Sequence, residues 1–160
     1  MIAIDANILL YASDTESTHH QAARRWLENT LSSEEPIGIA WAVVLAFLRV
    51  GTNPRIRRNA FSLQEAVDIV AGWFERPTVT LLNAGERHWE ILREMMTEGQ
   101  ARGPLVTDAH LAALAIEHGA ALATTDRDFA RFPGLKFFNP LDSPDRFRAP
   151  RRWHRHSYLR

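Results

Sequence analysis

Ile2-Ala3-Ile4-Asp5 is a short apolar run closed by a carboxylate, and the pattern returns late in the chain as Ala121-Leu122-Ala123-Thr124-Thr125-Asp126. Asp is a poor interior residue for a strand, so an Asp directly after an apolar run marks the strand's exit. Working outward, Ile37-Gly38-Ile39 after Pro36, Val79 to Leu82 after Pro77, and Leu135 to Phe138 read as further strands. Helical patterns fill the spaces between them. Ser17-Thr18 offers a cap for a helix with Ala22, Ala23, Trp26 and Leu27 on one face. Trp41 to Val50 is apolar except for Arg49, which predicts a helix buried on most sides, stopped by Gly51-Thr52-Asn53-Pro54. Ser62-Leu63-Gln64-Glu65 is a capping box ahead of Ala66, Ile69, Val70 and Trp73 at helical spacing. Glu86 to Glu98 reads as amphipathic with Trp89, Leu92 and Met96 in register. Asp108 to Ile116 reads as a strong helix, capped by Thr107 and closed by Gly119 at its C′ position. Strands alternating with helices predict an α/β fold with a parallel sheet covered on both faces.

Length and composition narrow the function classes. The chain has 160 residues, 46% hydrophobic and 24% charged, which is ordinary for one globular domain and excludes a disordered chain, a collagen-like repeat and a coiled coil. Cysteine is absent, so no thiolate metal site, disulfide or cysteine nucleophile exists, and a reducing cytoplasm is the expected location. No apolar run reaches the roughly 18 residues of a membrane span, and Met1-Ile2-Ala3-Ile4-Asp5 is not a signal peptide. Lys+Arg and Asp+Glu balance at 19 each, but unevenly along the chain. Arg146, Arg148, Arg151, Arg152, Arg155 and Arg160 crowd the end, with His154 and His156 among them. The body is acidic and the tail basic, and a like-charge block at a terminus reads as an interaction arm, for RNA phosphates or for docking on the acidic body. The expected division is a domain over 1–141 and a basic tail over 142–160.

In parallel sheets, sites form at the carboxyl ends of the strands, and the acids sit at such places. Asp5 closes the first strand, Asp126 follows a late one with Asp128 two residues on, and Asp108 opens a helix. Carboxylates gathered at one sheet edge repel one another unless they take up protons or share cations. Hard oxygen donors without Cys or paired His point to Mg²⁺ or Mn²⁺, and such a centre suits phosphodiester hydrolysis. Plainer explanations stand beside this one. Asp108 suits a helix dipole, and Asp126 and Asp128 suit a turn before Phe129.

These residues together resemble a family. Met1-Ile2-Ala3-Ile4-Asp5-Ala6-Asn7-Ile8-Leu9-Leu10-Tyr11 is similar to the opening of PIN-domain ribonucleases, in particular VapC-type toxins of toxin–antitoxin pairs. Phe47-Leu48-Arg49-Val50-Gly51-Thr52-Asn53-Pro54, Leu105-Val106-Thr107-Asp108-Ala109-His110-Leu111-Ala112 and Ala123-Thr124-Thr125-Asp126-Arg127-Asp128-Phe129 resemble later segments in the same order, and Phe132-Pro133-Gly134-Leu135 and Asn139-Pro140-Leu141 resemble the family's ending. The resemblance implies a three-layer α/β/α sandwich, a PIN-like nuclease domain, and Mg²⁺-dependent endoribonuclease activity. It also implies inhibition by a VapB-type antitoxin, and a homodimer. Residue by residue, it makes Asp5 and Asp108 the principal metal ligands and Asp126 the remaining acid, with Asp128 beside it. Asn7 and Thr125 match polar positions that orient those acids or a metal-bound water.

One position departs from the pattern. The family usually carries Glu just before Phe-Leu-Arg, where this chain has Ala46, and no acid lies between Trp41 and Asn59. A natural variant, an engineered change and a binding protein that no longer cleaves are the three explanations, the first being favoured. One well-held ion is therefore expected instead of two. A phosphatase with Asp5 as nucleophile fits less well, because Asn7 stands where its general acid belongs. Arg49 reads either as a contact to the acids or to RNA phosphate, or as a cation at a helix C-terminus. His19-His20, His88 and His110 read as non-catalytic. Of the five Trp, all but Trp153 in the tail lie on apolar stripes and read as core or interface packing residues, while Trp153 reads either as a base-stacking or as a packing residue.

Overall fold

The computed structural model describes residues 1–142; the basic tail, from residue 143 on, and Trp153 with it lie outside the described residues. Five strands, β1 (Ile2–Ile4), β2 (Ile37–Ala40), β3 (Val79–Leu82), β4 (Ala121–Ala123) and β5 (Phe137–Phe138), form one sheet in the order β3-β2-β1-β4-β5. Every pairing is parallel. Six α-helices carry the chain between strands: α1 (Ala6–Ser13), α2 (His20–Leu31), α3 (Trp41–Gly51), α4 (Leu63–Phe74), α5 (His88–Glu98) and α6 (Leu105–Glu117). The central strands are almost wholly buried while β3 and β5, at the edges, are partly exposed. Burial on both sides of β1, β2 and β4 is the signature of helices on both faces, so the α/β expectation holds.

Chain order and sheet order part company at β1. From β1 the sheet runs through β2 to β3 on one side and through β4 to β5 on the other. The carboxyl ends of β1 and β4 therefore flank the point where the winding reverses, which is where open parallel sheets leave a crevice. Asp5 follows β1 and Thr124 follows β4, and the Asp5 N–H donates to Ala123 O at 3.0 Å, locking the two exits side by side.

Several local readings hold and several are corrected. The Ser62 capping box forms in both directions, with Ser62 Oγ accepting from Glu65 N and the Glu65 carboxylate from Ser62 N. Gly119 adopts φ +63° just after α6. A helix, α1, begins immediately after Asp5, in a stretch where no element was read. Helix α6 starts at Leu105, three residues before Asp108, because Pro104 fits the start of a helix; Thr107 lies inside the first turn and caps nothing. Ala22 is exposed, while Ala23 and Leu27 carry the buried face of α2.

The larger corrections concern apolar side chains. On α5 the buried residues are His88, Ile91 and Met95, one step round from the expected Trp89, Leu92 and Met96, and Trp89 is 68% exposed. On α3, Val43, Val44 and Phe47 face the core, but Trp41 and Leu45 are 54% and 61% exposed. Of the two kinds of packing expected for Trp41 and Trp89, core or interface, the core is excluded by their exposure; on α3 a run apolar all round hides which stripe meets the sheet. Trp26 and Trp73 do pack, Trp26 edge-on to Phe138 and Trp73 edge-on to Phe47.

Gly38 shows how tightly β2 is held. A Cβ there would sit 2.6 Å from the buried Leu82 side chain of β3, whereas a Cβ on Gly72, inside α4, meets nothing within 4 Å. Gly38→Ala is expected to destabilise the fold by about 1–3 kcal/mol through overpacking. Gly72→Ala is expected to stabilise it by roughly 0.5–1 kcal/mol by removing backbone freedom from the unfolded chain. Urea unfolding of both variants beside the parent checks the pair; an unaffected Gly38→Ala would mean that Leu82 is free to move.

Candidate active site at the exits of strands 1 and 4

The site is built around one buried hydroxyl. Thr124, only 1% exposed, leaves β4 with its Oγ1 donating to Asp5 Oδ2 at 2.7 Å. The same oxygen accepts from Asn7 Nδ2 at 3.2 Å and from the Asp126 N–H at 3.0 Å. One donation and two acceptances saturate a hydroxyl. Asn7, in the first turn of α1, also donates from Nδ2 to Asp5 Oδ2 at 2.8 Å. Strand exit and helix start are thus pinned to one oxygen of Asp5, and the loop to the Thr124 hydroxyl that holds it. The residue that orients Asp5 is Thr124, one place before the expected Thr125, whose backbone N–H approaches Asn7 Oδ1 at 3.5 Å. The difference is where β4 stops, since Thr124 continues the buried run and Thr125 begins the turn.

Asp126 and Asp128 lie in the next turn. Asp126 Oδ1 accepts the Asp128 N–H at 2.8 Å and so caps the short 3-10 helix Arg127–Arg131. The turn explanation for Asp126 is therefore correct for one of its oxygens. Asp128 is exposed and pairs with Arg131 at 3.4 Å. Arg131 Nη1 also donates to Gly99 O, at the end of α5, at 3.2 Å. Arg131 was not singled out in the sequence, although an Arg three residues after an Asp in a helical turn is a pairing signal.

Asp108 enters the same neighbourhood from the first turn of α6. Its carboxyl is pushed up to about 6, first by burial and then by the negative charges of Asp5, Asp126 and Asp128, with Arg131 opposing. Burial likewise raises the Asp5 carboxyl, joined by the charge of Asp126 and opposed by the Thr124 hydroxyl and the N–H groups of Ala6 and Asn7. All four acids thus act on one electrostatic field. Among the described residues, no three His, Asp or Glu side chains already stand as a ready-made metal cage. The donor chemistry nevertheless fits a hard divalent ion, because Mg²⁺ keeps several waters and needs only one or two carboxylates directly.

The remaining candidates lie elsewhere. Arg49 is exposed on the last turn of α3 and forms no hydrogen bond or ion pair with a described residue. Ala46 is half-buried against the core, so no carboxylate reaches the site from α3. His88 and His110 are not isolated. His88 is buried, with Nε2 at 2.9 Å from His110 Nδ1 and Nδ1 at 3.3 Å from Glu117, and the cluster ties α5 to α6. His20 contacts Tyr11 O, and His19 lies against the Tyr11 ring.

A raised carboxyl pKa destabilises the folded state as pH rises, because the folded chain holds its proton longer than the unfolded one. For Asp108 the loss develops between about pH 4 and its folded value of about 6. Asp108→Asn is therefore expected to be nearly neutral at pH 4 and to stabilise the metal-free protein by roughly 1 kcal/mol at pH 7.5, solvent screening included. Thr124→Val strips three hydrogen bonds from the node and is expected to cost about 2–3 kcal/mol at pH 7.5. Thermal unfolding in EDTA across pH measures both; a pH-independent effect of Asp108→Asn would contradict the shared field.

With this geometry in hand, the comparisons are direct. The PIN domain family model matches residues 2–135. Ribonuclease VapC37 of Mycobacterium tuberculosis is 41% identical over 140 residues, covering 88% of this chain and 97% of the relative. Ribonuclease VapC33 of the same species is 36% identical over 141 residues, covering 88% of this chain and 99% of the relative. Among solved structures, VapBC2 from Rickettsia felis bound to a DNA fragment from their promoter superposes with a TM-score of 0.62 at 23% identity, covering 87% of this chain and 98% of that one. The chain belongs to the PIN-domain family, in the VapC branch whose curated relatives are ribonucleases.

Proposed function

We propose that this chain is a Mg²⁺-dependent endoribonuclease, the toxin of a toxin–antitoxin pair, that hydrolyses phosphodiester bonds in RNA. The observation that carries the proposal is the gathering of Asp5, Asp126 and Asp128 about Asp108 at the exits of β1 and β4, tied together by the Thr124–Asn7 node and close enough that burial and their charges push the Asp108 carboxyl up. Carboxylates so placed are stabilised by a divalent cation, and both ribonuclease relatives align over nearly their whole length.

Asp5 and Asp108 are the residues that would hold the ion, Mg²⁺ or Mn²⁺, with Asp126 and Asp128 adding negative charge beside them. When bound, such an ion stabilises charge developing on a phosphoryl group and makes a coordinated water more acidic. The chain's own part is positioning. Thr124 and Asn7 hold one oxygen of Asp5 by two hydrogen bonds and so restrain the carboxylate's rotation. Arg131 restrains Asp128 and balances part of the surplus charge. Ala46 supplies no further carboxylate, so one ion is expected; two ions at the spacing of about 3.5–4 Å found in two-metal sites would contradict this.

The partners follow from the same reading: RNA as substrate, a VapB-type antitoxin as inhibitor, and a second copy of this chain. Trp41 and Leu45 on α3, with Leu63 and Val67 on α4, give an exposed apolar surface suited to a protein partner. No described helix is long and apolar enough to cross a membrane. The second reading, a binding module that no longer cleaves, is favoured by Ala46 alone.

Calorimetric titration with Mg²⁺ and Mn²⁺, followed by RNA cleavage, tests the proposal on the parent, Asp5→Asn and Asp108→Asn. One ion per chain is expected for the parent, with affinity falling tenfold or more in either variant. Cleavage is expected to fall at least a hundredfold in either variant and to vanish in EDTA. Cleavage that survives EDTA and Asp5→Asn together would defeat the mechanism, and metal binding without cleavage would favour the binding module.

A further inference from the structure

Two separate pieces of chain bring the acids to the crevice. The turn with Asp126 and Asp128 is tied to the Asp5 node, because the Asp126 N–H donates to Thr124 Oγ1 at 3.0 Å and the Asp128 N–H to Asp126 Oδ1 at 2.8 Å. Asp108 arrives in the first turn of α6, and no hydrogen bond among the described residues ties it to that node. The α5–α6 hairpin that carries it is braced within itself. His88 Nε2 stands 2.9 Å from His110 Nδ1, and the Glu117 carboxylate accepts from Gly85 N at 3.1 Å and Arg87 N at 3.2 Å.

From Ala109 on, α6 packs in the core. Its first turn does not, since Leu105, Val106 and Asp108 are half-buried and Thr107 is exposed. That turn hangs from the corner between α5 and α6. The N–H groups of Leu105, Val106 and Thr107 donate to the carbonyls of Arg102, Gly103 and Pro104 at 3.2, 3.1 and 3.2 Å. Bonds of this three-residue span have poorer geometry than those of a regular α-helix, so the place of Asp108 follows the corner.

Arg131 joins that corner to the acid-bearing turn. Its Nη1 donates to Gly99 O at 3.2 Å, its Nε to Asp128 O at 3.1 Å, and its Nη2 meets Asp128 Oδ1 at 3.4 Å. A planar guanidinium can hold two backbone segments from different edges, which a point-like ammonium does not reproduce. Beside it the buried Phe132 lies so close to Gly99 that a Cβ there would stand 2.8 Å from the ring. Past this joint the packing opens into a recess of about 250 Å³ between Met95, Ile116 and the Pro133–Gly134 turn. The positive charge of Arg131 also opposes the upward push on the Asp108 carboxyl, so the guanidinium lies within reach of all the parts it would align.

We propose that Arg131 is a positioning residue: by fastening the Asp126–Asp128 turn to the α5–α6 corner, it sets where Asp108 stands relative to the other acids. The inference rests on the metal-dependent ribonuclease reading and adds to it the joint that aligns the ion's ligands, a role distinct from that of a counter-charge.

The test uses the full chain and three variants, Arg131→Gln, Arg131→Lys and Gly99→Ala. The last opens the same joint without changing a charge, and thermal unfolding in EDTA shows whether it is folded at the assay temperature; if it is not, the two Arg131 variants decide. Calorimetric Mg²⁺ titration is expected to show binding about tenfold weaker than the parent in all three. A counter-charge alone gives the opposite pattern: Gln, which removes a positive charge beside the acids, would bind Mg²⁺ more tightly, and Lys would match the parent. That pattern would overturn the proposal. Hydrogen exchange in EDTA reads the joint without metal. Arg131→Gln is expected to speed exchange about fivefold in residues 99–108 and 127–132 together. A change confined to 127–132, or none, would also overturn it. RNA cleavage is scored separately. A parent that binds Mg²⁺ and cleaves while the variants match it loses only this inference. A parent that neither binds Mg²⁺ nor cleaves loses the ribonuclease reading, and hydrogen exchange then decides whether Arg131 sets the place of Asp108.

Discussion

One hydroxyl group organises the functional end of this molecule. Thr124 Oγ1 donates to Asp5 and accepts from Asn7 and from the Asp126 backbone, so a single buried atom joins the end of β1, the start of α1, the end of β4 and the following turn. Such a node fixes the geometry because its members are cross-linked, Asn7 Nδ2 also donating to the Asp5 oxygen that Thr124 holds. It also makes acid crowding tolerable. Asp5 gains hydrogen bonds to its charged form that offset part of its burial, while Asp108, without such a set, carries the shift to about 6.

The sheet supplies the rigidity this arrangement needs. Asp5 and Thr124 leave neighbouring central strands whose backbones are paired up to the site itself, through Asp5 N to Ala123 O and Thr124 N to Phe138 O. On the far side, Gly38 lets β2 lie under Leu82 without a gap, so β1 is clamped between two well-packed neighbours. The electrostatic surplus is therefore held on a packed frame, and it is expressed in the raised Asp108 carboxyl and countered in part by Arg131.

Much of this was legible from residue order. Apolar runs ending in acids marked the exits of β1 and β4, and the Ser62 capping box and Gly119 marked helix ends where they form. Other features were not. Trp41 and Leu45 sit in a run whose hydrophobicity continues around the helix, and a continuous run does not say which stripe meets the sheet; on α5 the expected stripe was one position out, so Trp89 faces outward. The role of Thr124 over Thr125 depended on where β4 stops, a boundary of one residue. The pairing of His88 with both His110 and Glu117 joined two helices across 22 and 29 positions, beyond the reach of any local pattern.

By itself, the sequence determined the alternation of strands and helices, the absence of thiol chemistry, the acidic residues at strand exits and the basic end of the chain, because each is a property of local order and composition. Tertiary structure alone decided that Asp5, Asp108 and Asp126 share one field, that Thr124 anchors it and that Arg131 opposes it. Those relations depend on β1 and β4 lying side by side although more than a hundred residues separate them, and only the folded sheet brings such distant carboxylates close enough to shift one another's protonation.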